Sequence, residues 1–436
     1  MRLHSFIAVT GAVVSSVAAR SVLDTPSQQR LDALAGRIHK TRPYDDLVAE
    51  LRQTFLVTTE QYGYDITGNP TQEKRLDVAM DEFAFSCIQR IVNDDPARPA
   101  VYWVESGPRA GVFGGRFGYD NADNIYRTIP VNSSYSYVIR GKRSQIADAT
   151  FSLQEDWNLT PVTSTLTKEQ LVVSEDGSYT ITVNSSASDS PNHIKTIPSS
   201  RFLMIRNNLG DWVAEDPDYL EVSVVESTAP PTKGLSEKEI IRRAREEMRL
   251  SIPTFGQLIQ GTWTLSQPQN VIIPPNQNPD SGTLVTQATS FSHANLTKSE
   301  AMVITIDSAG AAYWSLVTHN LFQTTVNPRD RTESLNMAQI VPNENGTATM
   351  VLSSADPGVH NWLKLQDEGQ GEIVTRFQGL PVSNENGGAR VKIWSQVVPL
   401  EQLAKYLPKG TKRITQAQRA IQIGERQKGW DYVRKF

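Results

Sequence analysis

The sequence predicts a mainly β protein: two homologous antiparallel β-sandwich or jelly-roll-like units, with helices ahead of the first and linking the two. Three observations carry this. From Pro99 onward, short segments alternate apolar and polar residues with period two and end in Gly, Asn, Asp or Ser, as half-buried antiparallel strands do. A phrase is written twice, Asp176-Gly177 preceding Asn192 by 16 residues and Asn345-Gly346 preceding Asn361 by the same 16. Apolar residues at helical spacing precede the first strand-rich stretch and separate it from the second.

The opening "MRLHSFIAVTGAVVSSVAAR" has Arg2, an apolar run from Phe6 to Val17 and small residues at Val17 and Ala19. This predicts a cleaved secretory signal over 1–19, too short and too soon interrupted by Arg20 to span a bilayer. Over 20–99 two helical segments are expected, "QQRLDALAGRIHKTRPYDDLVAELRQTFLVTTEQYG" and "TQEKRLDVAMDEFAFSCIQRIV", broken by Gly68, Asn69 and Pro70. Cys87 lies in the apolar run of the second and reads as a buried structural thiol. The first β unit is placed at 100–226, on "AVYWVE", "SYSYVIRG", "TFSLQ", "SYTITVN", "RFLMIR" and "YLEVSVVE". Residues 227–283 hold a Pro-rich linker and a helix whose Ser236 and Glu239 form a capping box. The second unit follows at 284–398. In it Arg376 stands 15 residues after Asn361, as Arg206 stands 14 after Asn192, which predicts an internal duplication. The tail, 399–436, carries Lys409, Lys412, Arg413, Arg419, Arg426, Lys428, Arg434 and Lys435, and is expected to be a solvated amphipathic helix.

Composition narrows the function classes. A single cysteine excludes an intramolecular disulfide, so the core alone must hold the fold. A formal charge of −4, with no basic patch in the body, argues against nucleic acid. The six histidines show no HExxH or paired metal spacing, and neither a G-x-S-x-G elbow nor a P-loop occurs. "GPRAGVFGGRFG" lacks the G-x-G-x-x-G order and reads as a loop. What remains is a cofactor-free site, with no metal, nucleic acid or membrane partner expected; oligomeric state is open. Asn132, Asn158, Asn184, Asn295 and Asn345 each head an Asn-x-Ser/Thr triplet and are expected at the surface as glycosylation sites of a secreted chain.

Groups able to polarise or protonate a neutral ligand concentrate in the second unit. His293 is the expected acid or base, Arg376 the holder of a developing oxyanion, and Trp314 and Trp362 the stacking surfaces, with Asn320 and Asn361 as further ligand contacts. Tyr126 is the first unit's contribution to a cleft between the copies. A satisfied core or strand-edge side chain is the plain alternative for each; for Arg206, that alternative is an ion pair with Asp211.

"YDNADNIYRTIPVNSSYSYVIRGKR" and "DWVAEDPDYLEV" in the first copy, and "SFSHANLTKSEAMVITI", "AYWSLVTHNLF", "SLNMAQ" and "DPGVHNWL" in the second, resemble the bacterial and fungal family known as domain of unknown function 1214. The first copy departs at His193, where the second has Trp362. The resemblance implies a β-rich fold and, in many members, a secreted or envelope location, with no settled reaction. In its leader, triplets and length the chain is also similar to the fungal hetero-Diels-Alderases of tropolone sesquiterpenoid biosynthesis. That likeness implies a small apolar or phenolic substrate and a secreted, cofactor-independent enzyme of fungal secondary metabolism that dehydrates a phenolic or tropolone intermediate and guides a hetero-Diels-Alder cyclisation. It carries no catalytic motif over. The alternative is a cell-wall or carbohydrate-active glycoprotein stacking sugars on Trp263, Trp314, Trp362 and Trp394. A glycosidase would need two opposed carboxylates, and Glu300, Asp307, Asp356 and Glu372 show no spacing that singles out a pair.

Overall fold

The computed structural model describes residues 21–159, 161–230, 233–277, 286–380 and 390–434; the leader expected over 1–19 lies outside them. Three helices come first, α1 (Pro26–Lys40), α2 (Asp45–Gln61) and α3 (Pro70–Val92). Thr25 caps α1 and Asn69 caps α3, each side chain accepting a backbone N–H of the first turn, and each is followed by Pro, whose missing N–H costs nothing there. The single helix expected over the first segment is thus two. Pro43 ends α-helical continuity, and Arg42 turns the chain in a left-handed conformation (φ 51°).

The first unit comprises β1 (Tyr102–Val104), β2 (Asn124–Pro130), β3 (Tyr135–Lys142), β4 (Asp148–Gln154), β5 (Ser164–Thr167), β6 (Ser178–Asn184), β7 (His193–Lys195), β8 (Phe202–Asn208) and β9 (Tyr219–Ser227). The second comprises β10 (Ala288–Asn295), β11 (Glu300–Asp307), β12 (Tyr313–His319), β13 (Ser334–Asn336), β14 (Ala348–Ser353), β15 (Trp362–Lys364), β16 (Gln370–Gln378) and β17 (Lys392–Pro399). Their sheets are ordered β1-β2-β8-β4-β5 with β7-β6-β3-β9, and β10-β16-β12-β13 with β15-β14-β11-β17. Setting β1 aside, every strand of one unit has its counterpart in the other, down to the one parallel pair in each, β6 with β7 and β14 with β15. The fold is mainly β and duplicated.

The repeated phrase has a mechanical reason. The Asn192 amide accepts from Val172 N (2.8 Å) and donates to Val172 O (2.7 Å), and the Asn361 amide does the same with Val341 (2.9 and 2.8 Å). Each asparagine clamps a loop 20 residues upstream to its own short strand. Both sandwiches have cores of their own, around Ile139, Phe151 and Ile205 in the first and Ile304, Leu316 and Phe377 in the second. A further cluster joins the helices to Tyr126 and Met204 of the first unit and Val374 of the second. Each fully buried chain of this kind contributes about 1.5–3 kcal/mol, so the helices act as the cement between the units.

Two more helical elements complete this layer. α4 (Glu237–Pro253) starts at Ser236, whose side chain accepts from Glu239 N, and runs straight into a π-helical segment, Thr254–Leu265. Gly256 and Gly261 explain the wide winding. A Cβ on them would lie 2.8 Å from Thr54 and 3.1 Å from Thr58 of α2, so both must face α2. Positions five apart diverge around a 3.6-residue turn, whereas a π-turn keeps them on one side.

The tail helix, α5 (Gln416–Arg434), has one solvated face, with Ile421, Glu425 and Lys428 exposed, but Arg419, Arg426 and Arg434 turn inward and seat in the β units. Arg419 forks onto Asp356 (2.9 and 3.1 Å), and Arg426 donates to Ser334 O (3.0 Å) and Oγ (2.5 Å) while stacking on Trp212 of the first unit (4.3 Å). Arg434 donates to Ala122 O (2.5 Å). Planar guanidinium groups meet the carbonyls left open at strand ends, and the helix straps one unit to the other.

Candidate functional site

Between the two sandwiches lies a cavity of about 170 Å³ whose walls come from both copies. β2 and β8 supply Tyr126, Met204 and Arg206, and β10 and β16 supply Thr289, Phe291, Arg376 and Gln378. Alternation along the strands sets this: Arg206 lies opposite Tyr126 and Thr150, and Arg376 opposite Thr289 and Ser315. The two arginines face the seam from corresponding strands, β8 and β16. Two residues past them, Asn208 and Gln378 touch each other, Nδ2 to Oε1 at 2.9 Å. The π-helical segment roofs the cavity with Phe255, Ile259 and Trp263, and the loop after β4 adds Trp157, stacked on Phe202 at 4.3 Å.

The polar chemistry is concentrated in three groups. Arg376 Nη2 donates to Tyr119 O, but its Nη1 is buried without a partner among the described residues, and so is Nη1 of Arg206. Burial holds the Arg206 guanidinium below its ordinary value, and the charge of Arg376 adds to this. Glu105 lines the same cavity from the turn after β1, at φ 57°, a left-handed conformation that costs a non-glycine residue on the order of 1–2 kcal/mol. Burial pushes its carboxyl up to about 7, against the pull of Arg206 and Arg376. Tyr126 beside it is raised to about 12, again by burial. Close packing keeps the roof down: Gly118 sits at φ 58°, and a Cβ there would be 2.7 Å from Phe255.

Of the expected site residues the structure brings Arg376 and Tyr126 together and places the others elsewhere. His293 shares its strand face with Phe291, but Tyr64 and Gln267 close over it. Nδ1 meets Tyr64 OH and Nε2 meets Gln267 O, each at 2.7 Å, so neither nitrogen is left for a ligand. Trp314 pairs across the sheet with Phe377 and stacks on it, on the face opposite Arg376, inside the second sandwich core. Asn320 spends its amide on Phe322 N and on Thr324, shaping a turn. Asn361 is the loop clamp described above. Trp362 donates to Ser353 O and lies under Arg419 of α5. Arg206, for which an ion pair with Asp211 was the alternative to a ligand contact, lines the cavity, and Arg127 points away from it to Asp218 O (2.7 Å). The polar groups therefore come from both copies, not chiefly from the second.

Sequence reasoning missed Glu105 and the π-helical roof. The first ends a strand in no motif; the second shows no α period because it is not α-helical. Trp263 lines the cavity, Trp314 and Trp362 are covered, and Trp394 is exposed on β17, so the four form no common stacking platform. Among the glycosylation triplets Asn295 and Asn345 are exposed, Asn132 and Asn184 half-buried. Asn158 is turned inward, donating to Glu247 (3.3 Å) and accepting from Ser251 Oγ (3.0 Å) of α4, because its amide is needed to tie that helix down. Cys87 is buried and unpaired, its thiol pushed up to about 11 by burial. Among the described residues no group of three or more His, Cys, Asp or Glu side chains could hold a metal, and no helix is long and apolar enough to cross a membrane.

The fold and cavity define a class: a duplicated β-sandwich protein with a buried, doubly cationic, aromatic-walled site at the seam of its two copies. The second copy, residues 283–381, matches the family described as a protein of unknown function, DUF1214. No curated protein matches the chain. Among solved structures, an uncharacterised protein from Burkholderia cenocepacia is similar over 84% of this chain and 99% of its own, at 20% identity and a TM-score of 0.68. The VPA0106 protein from Vibrio parahaemolyticus matches 64% of this chain and 90% of its own at 10% identity, with a TM-score of 0.40. The first likeness covers both units and shows the shared fold.

Proposed function

We propose that the chain is a secreted, cofactor-independent enzyme acting on a small phenolic compound, by dehydration followed by cyclisation. The observation that carries this reading is the pair of buried, unpartnered Nη1 groups of Arg206 and Arg376 beside a carboxyl that titrates near neutrality. Two guanidinium groups favour the ionised form of a phenol or tropolone oxygen placed between them. Glu105, in its protonated form, gives its proton to a hydroxyl on the carbon attached to the ring. The carbon–oxygen bond breaks, its electron pair leaves with water, and the phenolate charge collapses into the carbonyl of a quinone methide. Glu105 is left as the carboxylate. Phe291, Trp157 and Phe255 form apolar walls that keep the flat product oriented for addition to an alkene, and such orientation is worth roughly 7–11 kcal/mol in favourable cases. Secretion belongs to the same proposal, supported by the leader sequence and by the exposed triplets at Asn295 and Asn345.

The test uses 2-(hydroxymethyl)phenol with ethyl vinyl ether as the trap, and chromatography of the cyclic adduct. Glu105→Gln should lower the enzymatic rate by roughly 10²–10⁴, and Arg206→Gln and Arg376→Gln each by roughly 10²–10³. Unchanged rates in Glu105→Gln and in the double arginine variant would overturn the assignment.

A further inference from the structure

At about 170 Å³ the cavity is small for its proposed use, since sites for drug-sized ligands span roughly 300–1,000 Å³. A second cavity of about 240 Å³ adjoins it. Trp263, Thr289 and Phe291 line both, so the two spaces are separated by one wall of two aromatic rings and a threonine. The Trp263 and Phe291 rings are 6.0 Å apart at 38°, and both are only partly buried, with a cavity on either side. The linings differ in kind. The first cavity carries Arg206, Arg376, Glu105 and Asp156; among the described residues the second has no ionisable side chain in its lining, only Thr262, Gln267, Asn276 and Ser290 with Ile273 and Pro274. Its floor is fixed, because Asn276 and Thr289 exchange backbone hydrogen bonds at 3.1 and 2.9 Å, holding the 271–277 segment against β10.

We propose that this second cavity is the other half of the ligand site and takes an uncharged, mainly apolar group, while the anionic head occupies the arginine cavity. The inference rests on the oxyanion reading of Arg206 and Arg376 and extends it to a bipartite ligand. The group is either a tail on the same molecule or a separate neutral reactant, placed across the Trp263–Phe291 wall from the head. A charged group there would lose hydration with no counter-charge to meet it, whereas an apolar one gains from burial against Ile273, Pro274 and the two rings.

Calorimetric titration of the full chain with three probes tests this: 4-hydroxybenzoate, the same acid bearing a five-carbon alkyl chain on the ring, and the same acid bearing a chain of that length ending in an ammonium. Wild type should bind the alkyl probe at least tenfold more tightly than the head alone, and the ammonium probe no better than the head. Thr262→Trp, a substitution at an exposed position on the rim of the second cavity, should abolish the tenfold gain and leave the head-only affinity unchanged; Asn276→Phe is the second filling variant. Repeating the head titration in 1-hexanol separates the two sources: a rise in head affinity that Thr262→Trp removes indicates a separate reactant, and no rise indicates a tethered tail. Equal affinity for head and alkyl probes, or a gain that survives both filling variants, overturns the proposal. If the alkyl probe binds and Arg206→Gln with Arg376→Gln leaves its affinity intact, the oxyanion reading falls while the apolar cavity stands. Binding of no probe overturns both.

Discussion

Replacing Glu372 by Gln should change how the protein's stability depends on pH, and the size of the effect follows from the surroundings of that one carboxyl. Glu372 lies on β16, four residues before Arg376, and is wholly buried. Its oxygens accept from Gln260 Nε2 of the π-helical roof (2.7 Å) and from Gln323 N (3.3 Å), and no Arg or Lys pairs with it. Burial pushes it from the ordinary 4.5 up to about 8. The native state therefore holds a proton that the unfolded chain releases, so stability is greatest below about pH 4.5 for this group and falls as pH rises toward 8. At about 1.4 kcal/mol per unit, keeping the ionised form buried costs on the order of 5 kcal/mol above that range. Glu105 and Asp148 are raised by burial in the same sense, to about 7 and about 6, and Asp120, Asp123 and Glu333 are raised too, so the wild-type slope belongs to all of these carboxyls together. The difference between wild type and Glu372→Gln isolates one of them. Urea unfolding at pH 5, 6.5 and 8 should show the variant gaining on wild type by several kcal/mol across the series, because Gln keeps the hydrogen bond from Gln260 and cannot ionise. Parallel curves would refute the reasoning and mean that Glu372 is hydrated or charge-paired in solution.

Cys87 in the native protein should resist a water-soluble thiol reagent at neutral pH and react at once in urea, since it is buried with its thiol raised to about 11; fast labelling of the native form contradicts the packing of α3. Arg426→Ala should lower stability by about 3 kcal/mol, because it leaves Ser334 O and Pro328 O unsatisfied in a buried joint, measured by the shift in urea midpoint; no shift would mean that α5 is not docked. If the chain is expressed through a secretory route, peptide mass spectrometry should find glycan on Asn295 and Asn345 and none on Asn158, whose amide is bound to Glu247; a fully occupied Asn158 would refute the seating of α4.

The duplication was legible in the sequence because it is written in contacts that need a particular side chain at a particular spacing. Asn192 and Asn361 each satisfy both backbone groups of one residue 20 positions back, and a short carboxamide offers that donor and acceptor side by side. Strand alternation marks β12 as a strand but gives no sign of which of its faces meets the other copy. The stacking surface was thus assigned to a residue of the sandwich interior. His293 was on the right face and still excluded, because Tyr64, 229 residues away in sequence, covers it. Glu105 left no trace, since its raised titration comes from burial and its left-handed backbone from a turn, neither of which is a pattern along the chain. The π-helical roof escaped because apolar periodicity is read against 3.6 residues per turn.

Asn208 and Gln378, each two residues past its unit's cavity arginine, touch across the seam, so corresponding strands of the two copies meet face to face. Matching elements meet in this way across the two-fold axis of an isologous dimer. A single-copy forerunner would have presented one arginine per subunit and completed its anion site only on pairing, around a ligand required to suit both halves alike. Joining the copies in one chain lifts that requirement. Tyr126 faces Arg206 where Thr289 faces Arg376, and only the first copy brings a Glu105. Two charges inherited from symmetry now sit in a pocket free to tell one end of a molecule from the other.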